Sequence, residues 1–504
     1  MIFRAPDLPS PSTLRADLCV VGSGAGGATV ARVAAEAGLR VVVVEAGEML
    51  TPADMCQREE VMFPRLYWES GGRATADRKV RVHQGRGVGG STLHNLNLCK
   101  RIPDSILARW GAGGRLSHLP RERWAALYDE VEHALHVSEV DGHNLHNALL
   151  ERACGALGWR GGPLRHNRSG CARSGFCEVG CAYDAKNNAL KVMIPPAVRA
   201  GADVLTLCQA VRIGHDRGGV QSIEAVALDP VTRRATGPIT IVAPRICVSA
   251  SATGTAALLE RSAIPDPSNT TGRTLRMHPA VVVAAELSEP VDAHIGIPQS
   301  YECTEWLDLE DEAGPRVWIV PAFAHPAGTA TTMPGHGDDH RRMMRRYRHL
   351  AVLTAMIHDH TVGRVTSRGE LGLRIDYAPD PTDRAELRRG LWACAKLLQA
   401  AGAERVHVPA ARTQRSYGPD DAVDDLLGCD IDGEGIDLTA VHPMATVSMD
   451  DDPSRAAVGS DGRHHHVGGL WIADGSLFPS SIGVPPQLSI YALGLHVGRA
   501  IAES

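Results

Sequence analysis

The sequence of 504 residues has little of what marks several large protein classes. Aromatic residues make up 4% of the chain, which is too few for the stacking platform of a nucleic-acid or polysaccharide binder. The net charge is −6, so no basic excess indicates nucleic acid or an anionic membrane as a partner. No window approaches the roughly 18 apolar residues of a membrane-spanning helix. We therefore expect a soluble protein that acts on a small molecule.

The N-terminus and the cysteines point to the same compartment. The first segment, MIFRAPDLPSPSTLRADLCVV, contains three prolines and lacks the apolar stretch of a secretory signal. Most of the 12 cysteines are isolated, and Cys19 and Cys247 lie in apolar runs, which is typical of reduced buried thiols. We expect a cytoplasmic protein, and the length predicts two large domains.

One N-terminal stretch has every part of a dinucleotide-binding motif. From Asp17 the chain reads DLCVVGSGAGGATVARVAAEAGLRVVVVEAGE. An apolar run meets the glycine turn of Gly22, Gly24 and Gly27, an alanine-rich amphipathic stretch follows, and a second apolar run ends at Glu45. Glycines let the backbone approach a pyrophosphate, a helix N-terminus attracts the phosphates, and an acid at the second strand end can bind ribose hydroxyls. The acid disfavours NADP, while NAD and FAD both remain open.

Further stretches distinguish these cofactors. A second glycine-rich turn, GRGVGGSTLHNLN (85–97), is not needed by a simple nicotinamide dehydrogenase. Three more stretches follow: CVSASATGTAALL (247–259), VHPMATVSM (441–449) and GGLWIADGSLFPSSIGVPPQLSIYALGLHVGRAI (468–501). In this order, with the N-terminal motif, they resemble the glucose-methanol-choline (GMC) oxidoreductase family. The resemblance implies FAD and removal of a hydride from a CH–OH group of a small-molecule alcohol or sugar.

The same resemblance implies an α/β fold with a p-hydroxybenzoate hydroxylase-like architecture. It implies a Rossmann-like FAD-binding domain that consists of residues 1–99, 191–265 and 441–504. The substrate-binding domain, a β-sheet plus helices, would consist of residues 100–190 and 266–440.

Local patterns predict parts of the second domain. Apolar spacing predicts a helix that begins after Pro120 and another that begins at Thr382 and ends at Gly402. Alternation in GRVTSRGELGLRIDYAP predicts strands.

Carried over position by position, the resemblance implies a set of cofactor contacts. Val211 is expected at the adenine, the turn at 89–91 beside the pyrophosphate, and the helix from Gln487 with its N-terminus towards the flavin, where its dipole stabilises the reduced form. His94 stands where some members attach the flavin, so a covalent link and a hydrogen bond are both open. The positions implied are Gly22, Gly24, Gly27, Glu45, Gly89, Gly90, Ser91, His94, Asn95, Val211, Asp474, Gly475 and Gln487.

The catalytic positions match the family in part. Removing a hydride from an alcohol also requires a base for the hydroxyl proton, and the resemblance gives that role to His442. The family's second position, usually histidine or asparagine, is Pro485 here. Either His442 works alone, or Gln487 or Asn95 supplies the second hydrogen bond. The alternative is an FAD-binding protein of the same fold with altered chemistry that does not oxidise alcohols.

A cysteine cluster, GCARSGFCEVGC (170–181), belongs to none of the motifs described above. Cys171, Cys177 and Cys181 do not have the pair-plus-pair spacing of structural zinc, and His166 is the one candidate for a fourth ligand. Three thiolates suit a [3Fe–4S] cluster, as the resemblance to bacterial FAD-dependent glucose dehydrogenases also implies. Such a cluster would favour a dehydrogenase with an electron-acceptor protein over an oxidase. The alternative is structural thiols, and related long-chain alcohol oxidases carry a segment like GFCEVGCAYDAK.

Three other segments are expected at the surface. Residues 326–350 contain a basic run that we interpret as a solvated helix face, with a lid as the alternative. Residues 420–435 form an acidic loop without calcium-ligand spacing. His464, His465 and His466 fall in a predicted turn, where exposure is expected.

Overall fold

The structure, a computed structural model, describes residues 1–322, 325–333 and 335–504. Pro334, in the segment predicted as a helix face or lid, lies outside the described residues. The fold is mixed α/β, as predicted, with one parallel sheet and a second large sheet.

The strands are short and are numbered along the chain. They are β1 (Ile2–Arg4), β2 (Ser12–Arg15), β3 (Leu18–Val21), β4 (Val41–Val44), β5 (Val80–Val82), β6 (Val137–Glu139), β7 (Gly161–Pro163), β8 (Arg165–Asn167), β9 (Asp203–Thr206), β10 (Cys208–Asp216), β11 (Gly219–Leu228), β12 (Ala235–Val242), β13 (Ile246–Val248), β14 (Ala280–Glu286), β15 (Tyr301–Cys303), β16 (Val317–Pro321), β17 (Leu350–Ile357), β18 (Arg364–Arg368), β19 (Gly372–Asp376), β20 (Arg405–Val408), β21 (Arg415–Tyr417), β22 (Leu438–Ala440) and β23 (Leu470–Ile472).

The α-helices follow the same numbering. They are α1 (Ala25–Glu36), α2 (Glu59–Leu66), α3 (Asp104–Gly111), α4 (Arg121–Ala134), α5 (Leu145–Leu157), α6 (Ala189–Val192), α7 (Ile194–Arg199), α8 (Ser251–Arg261), α9 (Pro326–Thr332), α10 (Gly337–Arg345), α11 (Pro381–Ala400), α12 (Ile431–Glu434) and α13 (Gln487–Ala502).

A six-stranded parallel sheet has the order β1-β9-β4-β3-β13-β23. The residues of β3 (LCVV) and β4 (VVVV) are all buried, as expected of parallel strands covered on both faces. Val21, Val248 and Ile472 end three neighbouring strands in register, so the turns after β3, β13 and β23 meet at one edge. Ligands of open parallel sheets bind at this carboxyl edge.

The second large sheet has nine strands and contains the order β21-β20-β14-β17-β16-β15-β7, with β22 and β5 attached through β14. Helix α11 packs against β14, β16 and β17. The helix predictions are confirmed: α4 follows Pro120, and α11 follows the N-cap Asp380, whose carboxylate accepts from the N–H of Asp383. The predicted strands form the hairpin β18–β19.

The surface predictions have mixed outcomes. His464 is 3% exposed, so the expectation for the three histidines is wrong there; its backbone N–H donates to Leu470 beside the parallel sheet. His466 is exposed. The segment after residue 325 forms α9 and α10, and no residue of α10 is buried. Within the described ranges, no helix is long and apolar enough to cross a membrane.

Candidate active site

A cavity of about 520 Å³ extends from the carboxyl edge of the parallel sheet to the face of the nine-stranded sheet. Ser23 and Glu45 line one end. Asp474, after β23, and His442 line it further along, and Met356 of β17 belongs to the wall on the other sheet. One space therefore joins the nucleotide motif to the predicted catalytic histidine.

Three glycines of the N-terminal turn serve close packing. A Cβ on Gly22, whose φ is +96°, would lie 2.2 Å from the carbonyl oxygen of Ser249. A Cβ on Gly26 would lie 1.7 Å from the carbonyl oxygen of Ala473, and one on Gly27 would lie 2.0 Å from that of Gly22. These glycines let α1 approach β13 and β23. The glycine motif did not single out Gly26, although Gly26 and Gly27 are adjacent in the sequence.

Gly24 differs from its neighbours. Among the described residues, a Cβ on Gly24 would have one neighbour within 4 Å, the Cα of Gly90 at 4.0 Å. Gly24 is the N-cap of α1, lines the cavity and has no side chain with which to cap the helix. The N-terminus of α1 is thus open to a ligand, and a helix N-terminus favours negative charge.

Glu45 links the two glycine-rich turns. Its carboxylate accepts from the Oγ (2.6 Å) and N–H (3.2 Å) of Ser23, and from the N–H groups of Gly47 (2.8 Å) and Gly87 (3.2 Å). The sequence predicted a ribose contact for this acid. In the structure Glu45 also has a structural role, because these bonds fix the turn after β3 against the turn at 85–91.

Most of the residues predicted to be catalytic or to bind the cofactor line the cavity, and three of them do not. Gly27 and Gly89 lie behind the lining, where Gly89 donates its N–H to the carbonyl oxygen of Ser23. Val211 is also outside the lining; it lies at a bulge in β10, and its neighbour Ala210 lines the cavity. The predicted residues in the lining are Gly22, Gly24, Glu45, Gly90, Ser91, His94, Asn95, His442, Asp474, Gly475 and Gln487.

The ring of His94 packs against Tyr67, and its Nε2 forms no hydrogen bond with the described residues. Its ring packs 4.0 Å from the Tyr67 ring, centroid to centroid, and 7% of the residue is exposed. Nε2 is buried and has no hydrogen-bond partner among the described residues. Burial lowers the pKa of His94 well below its ordinary value, and the nearby Lys186 lowers it further. A neutral ring with one unused nitrogen faces the cavity.

Asn95 and Gln487, the two candidates for the second hydrogen bond, contact each other. Nδ2 of Asn95 donates to Oε1 of Gln487 (2.7 Å). Nε2 of Gln487 donates to the carbonyl oxygen of Leu98 (2.7 Å) and to Oδ1 of Asn167 (3.2 Å). The side-chain amide of Gln487 therefore forms all these hydrogen bonds with protein groups, and it holds Asn95 against the start of α13.

His442 has a second histidine beside it. Its Nδ1 lies 3.3 Å from Nδ1 of His278, and the rings are nearly perpendicular, at 88°. Nε2 of His278 accepts the N–H of Gly483 (3.0 Å). Burial lowers the pKa of His278 to about 3 and that of His442 well below its ordinary value. The sequence alone did not single out His278, although it precedes a proline, as His442 does.

Asp359 holds the backbone at His278, whose φ is +50°. Its buried carboxylate accepts from the N–H groups of Met277 (2.9 Å) and His278 (3.2 Å). The hydroxyls of Tyr377 and Ser481 also donate to it, each at 2.8 Å. Burial raises the pKa of Asp359, and these bonds oppose that shift. The left-handed backbone at His278 is thus fixed by side chains from three segments.

The cysteine cluster does not form a ligand set. Cys171, Cys177 and Cys181 are all half-buried. Across the described parts of the chain, no group of three His, Cys, Asp or Glu side chains is arranged to hold a metal ion. His166 belongs to no such group either, and its Nδ1 accepts from Arg168. The [3Fe–4S] hypothesis therefore gains no support from the structure.

Two known proteins are similar to this chain over nearly its whole length. An uncharacterised GMC-type oxidoreductase of Mycobacterium tuberculosis strain H37Rv is 34% identical over 498 residues, which cover 97% of this chain and 76% of that protein. Long-chain-alcohol oxidase FAO3 of Arabidopsis thaliana is 26% identical, with 97% and 68% covered.

A solved structure supports the fold. Formate oxidase of Aspergillus oryzae RIB40, studied for modification of its FAD, superposes with a TM-score of 0.71 at 15% identity, and the match covers 98% of this chain and 99% of that one. The N-terminal GMC oxidoreductase model matches residues 63–280 and the C-terminal one matches residues 359–494. The chain therefore belongs to the GMC oxidoreductase family.

Proposed function

We propose that the protein is an FAD-dependent oxidoreductase that removes a hydride from the CH–OH group of a small-molecule alcohol. The observation that carries the proposal is the single cavity with Glu45 and Gly24 at one end and His442 further along. When bound there, FAD would supply the two-electron acceptor for the hydride.

The cavity residues fit FAD. The bare backbone at Gly24 and the open N-terminus of α1 suit a pyrophosphate. The unused Nε2 of His94 suits a contact or covalent link to the flavin. We accordingly keep residues 1–99, 191–265 and 441–504 as the proposed FAD-binding domain.

His442 is the proposed base. Because Nδ1 is turned towards His278, Nε2 is the nitrogen that can meet a ligand in the cavity. Burial keeps the ring neutral at neutral pH, and the proposal requires the tautomer in which Nε2 is free to accept the proton. The same burial makes His442 a weaker base, so its position relative to the hydroxyl proton has to favour the transfer.

The wall opposite the glycine turns favours an apolar substrate body. Alternate residues of β14 and β17 face the cavity with mostly small or aliphatic side chains: Ala280, Val282, Ala284, Val352, Thr354 and Met356. A sugar would leave its hydroxyls without partners along this wall, at a cost for each unpaired group. We propose primary alcohols with an aliphatic chain, and the similarity to a long-chain-alcohol oxidase supports this.

Anaerobic titration tests the proposal. The purified protein is expected to show flavin absorbance that is bleached by 1-octanol or longer primary alcohols, and far less by glucose at equal concentration. Bleaching by glucose alone would overturn the proposed substrate class but not the reaction.

One observation favours a second candidate. Gly483 donates to Nε2 of His278, so a neutral His278 carries its hydrogen on Nδ1 and donates it to Nδ1 of His442. His442 then carries its own hydrogen on Nε2 and acts as a donor. Together with Pro485, this arrangement suits a protein that binds FAD and polarises a substrate oxygen without oxidising an alcohol.

The two candidates differ in the position of one hydrogen. The second predicts that no alcohol bleaches the flavin, and that His442→Ala leaves its reduction by dithionite unchanged. A ¹⁵N spectrum of labelled histidine reports whether Nε2 of His442 is protonated in the flavin-loaded protein. A protonated Nε2 that persists with a bound alcohol contradicts the base.

The electron acceptor is the remaining part of the function. The preference for a dehydrogenase depended on a [3Fe–4S] cluster at Cys171, Cys177 and Cys181, and we now propose structural thiols. An iron and acid-labile sulfide assay tests this, and we expect flavin bands without stoichiometric iron. Comparing hydrogen peroxide formation with reduction of a dye then separates oxygen from an acceptor protein.

A further inference from the structure

Lys186, which belongs to the same segment as the cysteines, is a buried charge that the proposed reaction does not use. Its side chain is 1% exposed. Nζ donates to the carbonyl oxygens of Leu93 (3.0 Å), Asn95 (2.6 Å) and Cys177 (3.0 Å). Three donated hydrogen bonds require the ammonium form, because a neutral amine has two N–H hydrogens.

Among the described residues, no carboxylate forms a salt bridge with Nζ of Lys186, whose three hydrogen bonds all go to carbonyl oxygens. Glu178 acts on Lys186 electrostatically, but burial raises the pKa of Glu178 to about 8. Burial also lowers the pKa of Lys186, and the three carbonyl dipoles oppose that shift by stabilising the charged form. A net positive charge therefore lies under the turn at 93–95.

The turn at 93–95 lines the part of the cavity that is proposed to hold the flavin, which we call the redox end. His94 and Asn95 line the cavity, and Asn95 bonds to Gln487 at the first position of α13. A second route reaches the same residue, because Nδ2 of Asn167 donates to the carbonyl oxygen of Asn187 (2.7 Å), and Oδ1 of Asn167 accepts from Gln487. The segment at 186–187 thus supports the start of α13 from two sides.

We propose that Lys186 is a positioning residue for the redox end, which holds the 93–95 turn and adds positive charge beside the flavin that the proposed function requires. Hydride transfer brings two electrons and one proton to the flavin, so the reduced cofactor gains negative charge. The charge of Lys186 adds to the dipole of α13, and both stabilise that negative charge. The cysteine-containing segment thereby has a role that needs no metal.

The test measures the flavin midpoint potential by dithionite titration against a reference dye. Lys186→Met removes the charge at similar length and is expected to shift the potential to a more negative value. Lys186→Arg retains the charge and is expected to stay nearer the wild type. Lys191→Met is the matched control, since Lys191 is partly exposed and its Nζ pairs with Asp184 at 3.4 Å. Equal potentials in the wild type and Lys186→Met overturn the proposal.

A second neutral variant protects the test against a folding defect. If Lys186→Met does not fold, Lys186→Gln replaces it and is judged in the same way. If neither neutral variant retains FAD while Lys186→Arg does, the need for the charge is supported. If all three fail, Lys186 serves only folding, and the proposal is overturned. Because dithionite replaces the alcohol, the result stands apart from whether alcohols are substrates.

Discussion

The two ends of the cavity are built in different ways. The nucleotide end comes mainly from one stretch of chain, where Gly22 and Glu45 directly follow β3 and β4 and Gly24 is the N-cap of α1. The catalytic end joins His442 to His278 and Gly483, which are far apart in the sequence. A motif fixed by local backbone geometry is visible in the sequence. A constellation assembled by the fold is visible only once the strands are paired.

The largest expected effect separates the ends by function. His442→Ala is expected to lower kcat by about 100- to 10,000-fold, the range for loss of a general base, and to leave FAD affinity unchanged. Steady-state kinetics and flavin content measure this. His466→Ala is the control, because His466 is exposed. Loss of FAD together with activity would place His442 in cofactor binding.

Two substitutions in one turn separate packing from ligand contact. In Gly26→Ala the new Cβ meets the carbonyl oxygen of Ala473 at 1.7 Å, so we expect destabilisation by about 1–3 kcal/mol or more. In Gly24→Ala the nearest neighbour is at 4.0 Å, so we expect weaker FAD binding and an unchanged melting temperature without FAD. Melting curves with and without added FAD distinguish them, and equal loss of stability would contradict the open site at Gly24.

The pH dependence of stability tests the histidine pair. Burial lowers the pKa of His278 to about 3 from an ordinary 6.5. As the pH falls, His278 takes up a proton in the unfolded chain before it does so in the folded one. The contribution of His278 to the free energy of unfolding is therefore complete above pH 6.5, and it is lost as the pH falls towards 3, by up to about 1.4 kcal/mol per pH unit. Urea unfolding at pH 7 and pH 5.5 should show a smaller loss for His278→Gln than for the wild type. An equal loss would indicate that His278 is exposed to solvent.

The smallest expected effect concerns the hydrogen bond between Asn95 and Gln487. Asn95→Ala removes the hydrogen bond to Gln487, which is worth about 1 kcal/mol, so we expect roughly a fivefold fall in kcat/KM. The measurement is kcat/KM at constant flavin content. An unchanged value would show that the Asn95–Gln487 pair does not orient the site.

Sequence patterns predicted much of the fold and part of the site. The parallel strands, α4, α11 and the family followed from buried β-branched runs, helix caps and ordered motifs. His278 and Lys186 could not be placed from the sequence, because their roles depend on contacts across long separations in the chain. The bulge in β10 at Val211, beside which Ala210 lines the cavity, follows from no local sequence pattern.

Anaerobic stopped-flow mixing with a primary aliphatic alcohol tests whether the protein oxidises an alcohol with His442 as the base. We expect that the flavin of the wild type is bleached at a rate that saturates with alcohol concentration, and that His442→Ala is at least about 100-fold slower. A flavin that dithionite reduces but no alcohol bleaches would contradict it and leave the second candidate.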